Sequence, residues 1–392
     1  MTRNKVLQIP YGTKDVLPGE ARAKREMEDK IAANFLAWGY DEVETPTFEY
    51  LDTFALGGSG VSDESMKFLD RNNRTLVLRS DMTTPLARLV ATRLDTQQKV
   101  RRLCYIANIF RYEETQAGRQ CEFGQAGVEL MGSAEATADA EVLALAVKSM
   151  QAAGLGAFTI SLGHINFLTG IMEEAKLSKE NAEAVKKLVL EHNAVGLEEL
   201  VATLDLPEHL QKVYERLLFL HGGPELLQQL KQLVHNEKSL GALANLEAIY
   251  LLAEAYGVAD FISFDLSLIR NFDYYTGMVF EAYTAKLGFN ICGGGRYDTM
   301  MQSFGKACPA TGFAMGIDRI ILALERQKAF NVASVWDVYV AYAANKVAEA
   351  IKRAMTFRAQ GKTVKVATYA MKPEEANRLA KLNNCQSLAY VD

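Results

Sequence analysis

Strand-like segments in this chain fall into two groups separated by a long helical block, and that order limits the folds open to it. DEVETPTFEY and RTLVLRS read as short strands, and residues 100–113 and 119–132 as a long hairpin. From about 176 to 257 every periodic segment is helical, broken only at Asp205–Pro207 and Gly222–Pro224. Strands then resume in FISFDLSLIR, GMVFEAY and GFNICGGG. The block therefore reads as a helical subdomain inserted into a sheet-based core.

Local signals fix several helices around that frame. Pro18 stands where a helix can begin, Met27, Ile31 and Phe35 repeat on one face, and Gly39 ends it. DMTTPLARLVATRL, residues 81–94, reads as a helix with Pro85 in its first turn. AEATADAEVLALAVKSMQ is a further helix, and GFAMGIDRIILALERQ reads as one that closes the core at about residue 328. Residues 335–392 then follow a βαβαβ order, which implies a small α/β domain with a partly parallel sheet.

Composition excludes several classes. The chain has 392 residues, 49% hydrophobic and 23% charged, with a net charge of −5, which gives no general attraction to nucleic acid. Residues 335–392 carry nine basic and five acidic side chains, too mild a bias to name a partner. Five cysteines without a CxxC pair, and no histidine at metal-ligand spacing, predict free thiols and no metal site. No signal-peptide core or membrane-spanning apolar run is present, so the expectation is a cytoplasmic protein.

The polar residues of FRYEETQAGRQCEFGQAGVELMG stand out because a sheet usually carries apolar side chains there. Gln125, Gly127 and Glu129 share one strand face, with the amide and the carboxylate about 13 Å apart along the strand. A glycine between them leaves the face open to a small guest, and the pair suits a zwitterion such as an amino acid. A solvated sheet face is the plainer reading. Arg111, Glu113 and Arg119 read either as an ion-pair cluster or as a bidentate anion site. Asp81 and Thr83 read as helix caps or as ligand contacts. Arg270, Tyr274 and Tyr275 add a further polar segment, in which adjacent tyrosines on a strand would face opposite sides. CGGGRYD suits a close-packed turn better than a phosphate cradle, and His164 reads as structural.

Together these motifs resemble the histidyl-tRNA synthetase family. GTKDVLPGEA, FRYE…GRQCEFGQAGVE, RNFDYYTG, GGGRYD and GFAMGIDRI resemble its signature segments in order, over residues 8 to 326. The resemblance implies an α+β class II synthetase fold with an antiparallel sheet core. It places a histidine pocket on Asp81, Thr83, Arg111, Gln125, Glu129, Arg270, Tyr274 and Tyr275. The ATP side falls on Arg111, Glu113, Arg119 and Arg319. Where the synthetases have GRYRxFHQ this chain has GRQCEFGQ, so Cys121 replaces an arginine and Gly124 a histidine. The C-terminal domain, residues 335–392, resembles an anticodon-binding domain cut short after its third strand.

LRSDMTTPLARLVAT, GRxxEFxQAGVELMG and SLGHINF instead resemble the synthetase-like regulatory subunits of ATP phosphoribosyltransferase. That resemblance implies a non-catalytic, histidine-binding subunit without cofactor or metal. It implies a hetero-oligomer with the short-form catalytic subunit, built on a homodimeric unit, that acts in the first step of histidine biosynthesis and its feedback inhibition. Glu113, Arg119 and Arg319 would then be vestigial, with tRNA binding not expected. The alternative is a histidyl-tRNA synthetase or another enzyme that adenylates histidine.

Overall fold

The computed structural model describes residues 7–57, 65–94, 99–112, 120–269, 274–285, 287–330 and 336–392. Glu113, Arg119, Arg270 and the linker at 331–335 lie outside the described residues. The chain separates into two compact units, one of Met1–Asp15 and Lys24–Phe330, the other of Val16–Ala23 and Asn331–Asp392.

The first unit is organised by a nine-stranded sheet among the described residues. In spatial order its strands are Asp41–Glu42, Arg101–Phe110, Glu122–Met131, Ala310–Gly316, Cys292–Arg296, Met278–Tyr283, Thr159–His164, Ile262–Asp265 and His221–Gly222. Six of the eight pairings are antiparallel; only the Asp41–Glu42/Arg101–Phe110 and Thr159–His164/Ile262–Asp265 pairs run parallel. A smaller antiparallel sheet joins Phe48–Tyr50, Thr75–Leu78 and Lys67–Leu69.

The helix Pro18–Ala37 buries Met27, Ile31 and Phe35, the face its spacing predicts, and Gly39 follows at φ +77°, a conformation glycine adopts without strain. The helix Ala136–Ala152 is buried along most of its length, and its many alanines let it lie close to the sheet. The stretch between 176 and 257 holds five helices, Lys179–Leu190, Ala194–Thr203, Glu208–Glu215, Pro224–Lys231 and Glu237–Ala255. Their apolar faces, from Val185 through Leu210 to Leu246, run into one core with the sheet residues Val128, Leu162 and Phe280.

Three sequence readings are corrected. GFAMG is a strand, not the start of a helix; the helix begins at Ile317 and ends at Arg326. The backbone of 310–316 is paired on both sides, to residues 125–131 and 292–296, which leaves no freedom to coil. CGGGR, read both as the end of a strand and as a close-packed turn, is a central strand throughout. A side chain on Gly294 would strike Phe313, and one on Gly295 would strike the Tyr275 ring, so the glycines admit their neighbours. FISFDLSLIR is extended only to Asp265, whose carboxylate accepts from the Ser267 backbone and hydroxyl and turns the chain.

His164 is structural. It caps the helix Ile165–Glu174 by accepting from the Asn166 N–H at 3.1 Å, and burial followed by the nearby Arg296 pulls its pKa down to about 4.

In the second unit, Trp336–Tyr342 lies between Val364–Val366 and Cys385–Val391, all parallel. The helices Val347–Ala359 and Pro373–Leu382 connect them. Val338, Val340, Ala350, Ala376 and Ala389 form its apolar centre.

Candidate functional site

The hairpin register sets the site. Leu103 lies opposite Glu129, Tyr105 opposite Gly127 and Ala107 opposite Gln125. On the other side Gly312 is opposite Glu129, and a side chain there would collide with the Glu129 carboxylate. Glycine at 312 is what lets a carboxylate be seated in the middle of the sheet.

Glu129 is 2% exposed. Its Oε1 accepts from the Thr83 hydroxyl at 2.8 Å, and its Oε2 accepts from the Tyr297 hydroxyl. Burial pushes its pKa up to about 8; the charge of Asp81 adds to the rise, and the two hydroxyl donors oppose it. Glu129 therefore keeps its proton to higher pH than an ordinary glutamate. Tyr297 stacks on Tyr274 at 5.3 Å, and Tyr274 meets Tyr275 edge-on at 4.8 Å. The two adjacent tyrosines thus occupy one neighbourhood, because they lie before the strand Met278–Tyr283 rather than within it. Burial and the Glu129 charge hold the Tyr274 phenol well above its ordinary pKa.

Asp81 performs two tasks. Its Oδ1 accepts from the Thr84 N–H at 2.8 Å and so caps the helix Thr83–Thr92. Among the described residues, its Oδ2 is buried and has no hydrogen-bond partner. A buried carboxylate oxygen left unpaired is costly, and here it sits close enough to Glu129 for their charges to interact. Two carboxyl groups thus gather beside hydroxyls and aromatic rings, a set of acceptors that complements a donor-rich, cationic group.

The remaining residues of the sequence prediction are placed as follows. Arg111 donates from Nε to the Ser80 carbonyl at 2.6 Å and stacks over Phe123. Its charge also reaches the Tyr105 hydroxyl, as do those of Glu129 and Asp81. Gln125 accepts from that same hydroxyl at 3.5 Å. Arg319 donates to the Asn290 carbonyl and side chain and stacks over Phe289. The structure thus brings Asp81, Thr83, Glu129, Tyr274 and Tyr275 together, with Arg111 and Gln125 linked to them through Tyr105.

Two residues were missed by sequence reasoning. Tyr297 follows the glycines of CGGGRYD, which drew attention to the backbone instead of the ring. Tyr105 belongs to none of the motifs singled out in the sequence, yet its ring lies across Gly127, where the sequence suggested an open slot. The glycine makes room for a protein phenol, and it is this phenol that borders the pocket.

The two departures from the synthetase pattern are closed by packing. Cys121 is 1% exposed, and Gly12, at φ +73°, lies against its sulfur so tightly that a side chain on Gly12 would collide with it. The Cys121 N–H also donates to the Gly12 carbonyl at 2.7 Å. At Gly124 even a methyl would stand 3.1 Å from Ile317 and 3.3 Å from the Lys24 ammonium. Gly124→His is expected to destabilise the protein by about 1–3 kcal/mol, read as a lowered melting temperature without a gain in ATP binding.

Comparisons with known proteins place this geometry in a family. The histidyl-tRNA synthetase family model matches residues 12–320. The ATP phosphoribosyltransferase regulatory subunit of Desulforamulus reducens is 40% identical over 100% of this chain and 98% of its own length. That of Moorella thermoacetica is 40% identical over 93% of each. Among solved structures, one from Bacillus halodurans described as an ATP phosphoribosyltransferase regulatory subunit/histidyl-tRNA synthetase superposes with a TM-score of 0.88 at 32% identity, covering both chains fully. A histidyl-tRNA synthetase from a Nostoc species shares the fold with a TM-score of 0.83 at 21% identity, covering 97% of this chain and 90% of its own. The chain has the class II synthetase fold of histidyl-tRNA synthetase and belongs to the family of ATP phosphoribosyltransferase regulatory subunits.

Proposed function

We propose that this chain binds L-histidine in the Asp81–Glu129 pocket and regulates, without catalysing, the ATP phosphoribosyltransferase reaction of a short-form catalytic partner. The observation that carries the reading is the buried Oδ2 of Asp81, unpaired among the described residues, beside the Glu129 carboxyl, whose pKa burial raises. The α-ammonium and imidazole N–H of histidine are donors suited to the open Asp81 oxygen and to an ionised Glu129. Arg270, in the segment outside the described residues, is assigned the ligand's carboxylate, with Arg111 and Gln125 orienting it and Thr83, Tyr274 and Tyr275 enclosing the ring.

Loss of chemistry is supported by the sealed positions of Cys121 and Gly124. An adenylating site needs positive charge along the triphosphate, and an arginine side chain has no room where Gly12 covers Cys121. Glu113, Arg119 and Arg319 are then remnants of the ATP side. The working unit is a cytoplasmic hetero-oligomer containing a homodimer of this chain. It is required for the first step of histidine biosynthesis and carries feedback inhibition by histidine. Such coupling calls for a preference of roughly 1–3 kcal/mol for one arrangement of the complex.

The test mixes the purified chain with a short-form catalytic subunit. Phosphoribosyltransferase activity should depend on the chain and fall when histidine is added. Histidine-dependent ATP–pyrophosphate exchange by the chain alone would favour a synthetase instead.

A further inference from the structure

Within the helical stretch between 176 and 257 and the helix preceding it, three side chains distant in sequence converge. Glu174 ends the helix Ile165–Glu174, His209 lies in the first turn of Glu208–Glu215, and His235 immediately precedes Asn236, which caps Glu237–Ala255. One ligand atom from each lies within 4.8 Å of the other two. The Glu174 carboxylate is oriented from behind: its Oε2 accepts from the Asn236 amide at 2.6 Å and from the backbone N–H groups of Asn236 and His235 at 3.2 and 3.3 Å. Its Oε1 faces both imidazoles, 2.7 Å from His209 Nε2 and 3.9 Å from His235 Nδ1.

A plain hydrogen bond accounts for His209 alone. It leaves unexplained why the His235 ring lies 4.4 Å from the His209 ring, with its nitrogen turned to the same oxygen. One proton can join that oxygen to one imidazole, whereas one divalent cation can join it to both. We propose that Glu174, His209 and His235 form a binding site for a divalent transition metal of the zinc class, which ties three helices of this region together.

Two imidazoles and a carboxylate are a donor set that zinc accepts, and Asn236 supplies the outer hydrogen bond that fixes the carboxylate. Bonds of about 2.0–2.2 Å in a tetrahedron put donors roughly 3.3 Å apart, between the two separations observed here. The exposed side of His235 leaves a fourth position for water. The Asn236 amide and the two backbone N–H groups hold one carboxylate oxygen of Glu174 and leave the other turned to the imidazoles. The residues involved are separate from the histidine pocket, so the proposal stands whether or not histidine binds there.

The experiment titrates the chelator-treated full-length chain with cobalt(II) and then zinc(II). The expected result is one tightly held ion per chain, visible d–d bands of a nitrogen–oxygen site and a raised melting temperature. His235→Ala removes an exposed ligand without touching the core and should weaken binding by at least the roughly 10–100-fold that loss of an outer partner costs. Glu174→Gln should do the same. Absence of stoichiometric binding, unchanged affinity in His235→Ala, or a thiolate-to-cobalt charge-transfer band would each overturn the assignment.

Discussion

Glu129→Ala is expected to weaken L-histidine binding by about 2–5 kcal/mol, roughly thirty-fold to several thousand-fold, while association with the catalytic partner persists. Glu129 is enclosed by the central sheet, where water cannot replace a lost partner. Removing its carboxyl also strands the Thr83 and Tyr297 hydroxyls that now donate to it. Glu129→Gln controls for that disruption, because the amide oxygen still accepts from a hydroxyl but brings no charge to the ligand. Calorimetric titration of both variants, with co-purification of the catalytic subunit, reads binding and assembly separately. Unchanged histidine affinity in the alanine variant would remove Glu129 from the site.

The second large effect concerns stability in the absence of ligand. Between pH 4.5, the ordinary glutamate value, and about pH 8, folded protein keeps a proton on Glu129 that the unfolded chain has released. The folded state binds more protons across that window, so stability falls as pH rises through it and levels off above pH 8. The full swing is on the order of a few kcal/mol. Glutamine imitates the protonated acid, so Glu129→Gln should abolish this part of the slope and leave the free protein more stable than wild type at pH 8. Melting curves at pH 5.5 and pH 8 give the comparison. A wild-type slope unaltered in the variant would mean that Glu129 is not the titrating group.

How far the sequence could be read depended on whether local or distant residues decide each element. Met27, Ile31 and Phe35 announce their helix because a single periodic face suffices. The hairpin of 100–132 and the order of the last three strands are local as well. GFAMG was misread because its neighbours in the sheet come from residues 125–131 and 292–296, and nothing within the segment itself records that pairing. Gly127 was visible as a gap, but only the register with Tyr105 reveals what fills it. Asp81 looked like either a cap or a ligand contact; one carboxylate oxygen caps, and the other has no partner among the described residues. Spacing concealed the Glu174, His209 and His235 group entirely, since His209 alone is 35 residues from Glu174.

The central claim is that an amino-acid pocket persists on a sheet that has lost its chemistry. Titration of L-histidine into the isolated wild-type chain at pH 7, in buffers of different ionisation enthalpy, tests it most directly. One site per chain is predicted, with net release of protons, because the ligand's donors lower the raised pKa of Glu129. No saturable heat, or binding whose enthalpy is the same in every buffer, would contradict the account.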